Sequence, residues 1–305
     1  MTDGLTGPVG PPGFPGANLG PTSSFLDVLR ASSPGSNPVR GAGSAPADLS
    51  SVPHGTTVLA LRFAGGVVMA GDRRAVEGFQ IADERIEKVF PVDEYATVAI
   101  AGAAGQATEI VRLFQTEVEH YEKVEGTHLS LEGKANRLAQ MIRANLPAAM
   151  QGLVVVPLFA GYDVQRGDGR IFRYDVTGGR WEEADFHATG SGGVFARGSL
   201  KKRWQAGMDR GGAVRAATEA LYDASQEDVA TGGPDVRKGV FPSMKVVTAA
   251  GIEVVGDDEI REVFTRILEE AGTSTRWVAS SPAREQHDVP GTSDAGEPPG
   301  DAGEA

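Results

Sequence analysis

Apolar and polar positions alternate along this chain in two rhythms, and each change of rhythm marks an element. Thr57–Phe63 and Val67–Ala70 are short strand-like runs joined by Ala64-Gly65-Gly66, which predicts a hairpin. Tyr95–Ala101 predicts a further strand that stops at Gly102. From Ala107 to Lys123 the apolar residues Ile110, Val111, Phe114 and Val118 fall on the helical period. Ser130–Met150 does the same through Leu131, Leu138, Met141, Ile142 and Leu146, with Ser130 as its cap. Strands follow at Leu153–Tyr162 and Arg170–Asp175, split by Arg166-Gly167-Asp168-Gly169, and a short one at Phe186–Gly190. Val194–Trp204 and Gly212–Ala224 read as helices. Ser243–Thr248 and Ile252–Val255 form a second hairpin through Ala249-Ala250-Gly251, and a last helix spans Asp257–Glu270.

Helix pairs set between groups of hairpin-linked strands predict an α+β architecture, with antiparallel sheets stacked between helix layers. A doubly wound fold would instead alternate strand and helix singly. Both ends fall outside this pattern. Residues 1–55 are rich in Gly, Pro and Ser, and glycine recurs every third residue at Gly4, Gly7, Gly10, Gly13 and Gly16. That repeat is collagen-like but too short for a stable triple helix, so an extended disordered arm is expected. Within it, Phe25, Leu26 and Leu29 could form one amphipathic turn that docks on a neighbour. The tail, 272–305, is again polar and acidic and is expected to be disordered. The ordered domain is therefore 56–271.

The chain has 305 residues, 40% of them hydrophobic, and a net charge of -12. No basic stripe offsets the acidic middle, which argues against nucleic acid as a partner. No apolar run reaches membrane-spanning length and the N-terminus lacks a secretory signal. There are no cysteines, so disulfides, thiolate metal sites and a cysteine nucleophile are excluded. Together these features favour the cytoplasm. The five histidines show no metal-type spacing, and no Gly-x-Ser-x-Gly elbow, phosphate loop or dinucleotide fingerprint occurs. Neither a metal nor a cofactor is expected.

What remains is polar residues at apolar strand ends. The junction Gly55-Thr56-Thr57-Val58 opens the first strand. Cleavage before Thr56 would leave a hydroxyl nucleophile beside its own α-amine, a base of pKa roughly 7.7–8.0. Asp72 sits where the second strand turns over into Arg73-Arg74. Lys88 shares one face of its segment with Ile86 and Phe90, and a lysine on an apolar face needs a partner. A buried Asp72–Lys88 pair would supply one, and a cation beside Thr56 would keep the amine neutral and stabilise the alkoxide.

Gly55-Thr56-Thr57-Val58, Gly71-Asp72-Arg73-Arg74, Lys88, Ile100-Ala101-Gly102, Gly190-Ser191-Gly192 and Asp228-x-x-Thr231-Gly232-Gly233 occur in this order. With them the chain resembles proteasome β-subunit precursors of the actinobacterial 20S type, over roughly Gly55 to Glu270. The resemblance implies a four-layer αββα sandwich of the N-terminal-nucleophile hydrolases. It implies an endopeptidase whose Thr56 attacks the Gly55 carbonyl to free itself, then attacks protein and peptide substrates. It gives Asp72 and Lys88 the setting of charge state, the Gly102 amide the oxyanion, and Ser191, Asp228 and Thr231 the surroundings of the free amine. Ala75, Ile86, Ile100 and Ala104 become candidate pocket residues, all apolar, which suggests cleavage after hydrophobic residues. Val76 stands where the family usually has threonine, and its backbone is expected to pair with the bound peptide. The implied partners are further copies in a seven-membered ring, stacked rings of α-subunits, and a ring ATPase with a small protein tag. Two alternatives stay open: a non-catalytic ring subunit, and an amidase of the same chemistry acting on small molecules.

Overall fold

A computed structural model describes residues 55–77 and 80–279. The collagen-like arm, the turn at Phe25–Leu29 and the chain beyond 279 lie outside the described residues.

The first hairpin forms as expected from β1 (Thr57–Phe63) and β2 (Gly66–Gly71). A short ribbon, β3 (Ala75–Glu77) and β4 (Gln80–Asp83), follows. Then come β5 (Val89–Pro91), β6 (Ala96–Gly102) and the helices α1 (Ala104–Glu125), α2 (Leu131–Ala144) and α3 (Leu146–Ala149). β7 (Val155–Asp163), β8 (Asp168–Tyr174), β9 (Arg180–Glu183) and β10 (Phe186–Gly190) lead into α4 (Gly193–Arg203) and α5 (Arg210–Glu227). The hairpin β11 (Ser243–Thr248) and β12 (Gly251–Val254) precedes α6 (Asp257–Ala279).

Ser130 caps α2 as expected, accepting the Gly133 amide at 3.1 Å. The single helix expected over Ser130–Met150 is broken at Asn145. Pro147 is the cause: it has no amide to donate and its ring crowds the carbonyl one turn back, so the helix stops and restarts with proline in its first turn. The last helix runs to Ala279 rather than ending at Glu270. Its apolar face gives Ile260, Val263, Phe264 and Ile267 to the core.

Two five-stranded antiparallel sheets form, ordered β10-β1-β2-β11-β12 and β5-β6-β7-β8-β9. Strand alternation sends successive side chains to opposite faces and so builds three apolar layers. Leu59, Leu61, Val68 and Ala70 pack beneath α4, α5 and α6. Val98, Ile100, Phe159 and Phe172 pack beneath α1 and α2. Between the sheets lie Val58, Ala60, Met69, Val89, Ala99, Ala101, Leu158 and Ala160. The result is the αββα sandwich. The inter-sheet layer is thin, and a Cβ at Gly169 would lie 2.5 Å from the Gly66 backbone of the facing sheet. Among the described residues no helix is long and apolar enough to cross a membrane.

His187 of β10 is largely buried, and burial lowers its pKa to about 4, with Glu183 at 3.5 Å opposing the shift. The unfolded chain binds this proton near pH 6.5, so the stability that neutral His187 preserves at pH 7 is lost as pH falls towards 4. Between pH 7 and pH 5 the isolated chain should lose about 2 kcal/mol through this group. His187→Gln removes the titration, so in urea melts its stability relative to the parent should rise by that amount over the same interval.

Candidate active site

The site forms where strand ends from both sheets meet. Asp72 follows β2 and is fully buried, yet every lone-pair direction is used. Its Oδ1 accepts from the Thr57 amide and from Lys88 Nζ, both at 2.8 Å. Its Oδ2 accepts from the amides of Arg74 and Gly232, both at 2.9 Å. Lys88, just before β5, is 6% exposed and spends its ammonium on three acceptors. These are Asp72, the Arg74 carbonyl at 2.6 Å and the Gly55 carbonyl at 3.0 Å. Burial lowers the Lys88 pKa from its ordinary value, while the charge and hydrogen bond of Asp72 oppose the shift. Asp228 opposes the shift as Asp72 does, whereas the Arg74 charge adds to it.

Thr56 is buried, and its hydroxyl donates to the Gly55 carbonyl at 2.6 Å, the oxygen that Lys88 also meets. The Thr56 carbonyl accepts from the Ser191 amide at 2.9 Å. Glycine is needed on both sides. A Cβ at Gly55 would lie 2.7 Å from Ala230 Cβ and 2.9 Å from Val76 Cγ2. At Gly190, where φ is +100°, it would lie 1.8 Å from the Thr56 carbonyl oxygen.

A second network runs behind Thr56, and its proton direction follows from its end. The Asp228 carboxylate only accepts, so the Ser191 and Thr231 hydroxyls both donate to its Oδ2, each at 2.6 Å. With its proton committed, Thr231 can only accept from the Thr57 hydroxyl, 2.6 Å away. Thr57 in turn accepts the Gly192 amide at 2.9 Å. The relay therefore points from Gly192 through Thr57 and Thr231 to Asp228.

A small cavity of about 40 Å³ opens beside Thr56. Ala75, Ile86, Ile100, Gly102 and Ala104 line it, together with Lys88 and Phe90. The structure thus gathers Thr56, Asp72, Lys88, Gly102, Ser191, Asp228 and Thr231, and all four anticipated pocket residues. Val76 lies off the cavity wall, against Gly55. Ile86, Lys88 and Phe90 all border the cavity, but so does Glu87, since the strand begins only at Val89. Sequence reasoning missed the role of Thr57, the Gly232 amide and Phe90. A buried threonine opening an apolar strand was the available signal for Thr57; nothing local marked the other two.

Asp72→Asn keeps the shape but turns one oxygen into a donor and leaves Lys88 buried without its counter-ion. The variant should lose about 3 kcal/mol in denaturant melts near pH 7. Lys88 then holds its proton less tightly in the folded chain than in the unfolded one. Relative stability should therefore recover as pH rises towards the ordinary lysine value.

The chain has relatives over most of its length. A family model described as "Proteasome subunit" matches residues 52–236. The chain is 57% identical over 247 residues to a proteasome subunit beta of Acidimicrobium ferrooxidans, covering 81% of this chain and 89% of that one. It is 55% identical over 253 residues to that of Acidothermus cellulolyticus, covering 81% and 86%. It is 52% identical over 254 residues to that of Frankia casuarinae, covering 83% and 92%. With a family model across most of its described length and β subunits as relatives over four-fifths of it, the chain belongs to the proteasome subunit family.

Proposed function

We propose that the chain is the proteolytic β subunit of a 20S core, a threonine-type endopeptidase that frees its own nucleophile by cutting between Gly55 and Thr56. The observation that carries this reading is the shared oxygen: the Thr56 hydroxyl and the Lys88 ammonium both donate to the Gly55 carbonyl. A carbonyl polarised by a buried cation, with a hydroxyl on the next residue, is arranged for intramolecular attack.

The first reaction is an acyl shift. Thr56 Oγ1 bonds to the Gly55 carbonyl carbon, the C–N bond breaks, and the departing nitrogen takes up the hydroxyl proton. Water then hydrolyses the Gly55 ester, releasing residues 1–55 and leaving Thr56 with a free amine and hydroxyl. In the mature subunit that amine serves as base, and the hydroxyl attacks substrate carbonyls through an acyl-enzyme. Lys88 favours the neutral amine and the alkoxide. The Gly102 amide stabilises the oxyanion, and Ser191, Asp228 and Thr231 orient the amine. The apolar walls at Ala75, Ile86, Ile100 and Ala104 favour cleavage after hydrophobic residues, while the backbone at Val76 pairs with the peptide as an added strand.

The subunit assembles with others of its family into a proteasome core; seven-membered β rings stacked on α rings, and delivery of tagged proteins by a ring ATPase in the cytoplasm, complete the proposal. Intact mass and N-terminal sequencing of assembled particles test it. The parent should begin at Thr56 and react with a peptide β-lactone. Thr56→Ala should keep Gly55 bonded to residue 56 and remain unlabelled; trimming at Gly55 in that variant would refute self-cleavage.

A further inference from the structure

β5 is a three-residue strand at the edge of its sheet. Its pairing with β6 uses one side: Val89 lies opposite Ala99, and the Lys88 carbonyl accepts from the Ile100 amide at 3.3 Å. So short a strand with one neighbour holds its position weakly, because few ladder bonds oppose the entropy of fixing it. Yet this segment carries Lys88, whose ammonium must meet three acceptors within 2.6–3.0 Å.

Side chains close the open side. Lys245 Nζ donates to the Val89 carbonyl at 2.6 Å. Glu87 Oε1 accepts from the amides of Val89 at 2.9 Å and Lys88 at 3.2 Å. The same oxygen accepts from the Ser243 hydroxyl and lies 3.6 Å from Lys245 Nζ. Both backbone polar groups of Val89 are thereby satisfied where a further strand would have satisfied them.

Ser243 and Lys245 come from β11, in the other sheet. Lys245 lies opposite Met69 and two residues from Val247, both members of the inter-sheet apolar layer. It is 7% exposed. A methionine there would fill the space without the cost of burying a charge. What lysine adds is the hydrogen bond to the residue next to Lys88.

We infer that Glu87, Ser243 and Lys245 are positioning residues, a clamp between the two sheets that holds the Lys88 ammonium at the Gly55–Thr56 bond and at the later scissile bonds. The inference rests on the threonine reading above. The clamp acts through the backbone of Lys88 and Val89. Burial and the charges of Asp72, Asp228 and Arg74 weigh most on the protonation of Lys88.

The test uses full-length chain co-assembled with its α-subunits, with rates normalised to assembled sites. Lys245→Met should lower kcat for a hydrophobic fluorogenic peptide roughly ten-fold, with KM within about two-fold, because a displaced catalytic group costs rate rather than binding. The alkaline limb of its pH profile should move to lower pH, since a Lys88 loosened from Asp72 loses the contact that opposes its burial. Lys245→Arg, which keeps a donor, should recover most of the rate. Lys134→Met is the control: it removes another buried lysine, paired with Asp93 on the α2 side, and should leave kcat and the pH profile unchanged. If Lys245→Met does not assemble, Ser243→Ala gives the same readout with a smaller loss, about three-fold. A Lys245→Met or Ser243→Ala particle with the parent's kcat and pH profile overturns the proposal, as does an equal loss in Lys134→Met. Labelling by the β-lactone that persists in Thr56→Ala would instead overturn the threonine reading itself.

Discussion

A carboxylate with no access to water sits at the pivot of this molecule. Asp72 is tolerable there because four donors meet it, and each arrives from a different part of the chain: the start of β1, the turn after β2, the segment before β5 and the loop after α5. A buried charge lacking any of them would carry an uncompensated desolvation cost of several kcal/mol. The requirement works in both directions. The fold must bring those four segments together to satisfy Asp72, and once they are together Lys88 has only a narrow range of positions. The geometry of the candidate site is thus a by-product of satisfying one ion.

The same economy governs the second carboxylate. Asp228 terminates a relay whose hydroxyls each have one proton to give, so its acceptor oxygen fixes the orientation of Ser191, Thr231 and Thr57 together. Thr57 thereby links the two centres, since its amide serves Asp72 while its side chain serves the Asp228 network.

Much of this was legible in the sequence wherever a signal was local. The hairpins at Gly65 and Gly167, the helix periods and the Ser130 cap were all readable because each lies within one turn or one strand. The Asp72–Lys88 pair was readable because a lysine on an apolar face demands an anion. The short strands β3, β4 and β9 were not, since three or four residues carry no measurable period and owe their pairing to neighbours. The break at Pro147 was missed, because the apolar period was followed through Leu146 without regard to the proline beside it. Lys245 was hidden for a different reason: its partner lies 156 residues away, at the edge of another sheet.

The thin apolar seam between the sheets has a geometric corollary. Two sheets that approach until backbone nearly meets backbone, as at Gly169 and Gly66, leave no interior room for a peptide. The candidate site accordingly lies at the rim, where strands begin or stop: Thr56 ahead of β1, Asp72 beyond β2, Lys88 ahead of β5, Gly102 closing β6, Ser191 beyond β10. A polypeptide reaching that rim must come as an extended thread laid along it. Under the proposed reading, an extended segment fits such a rim more readily than a folded one.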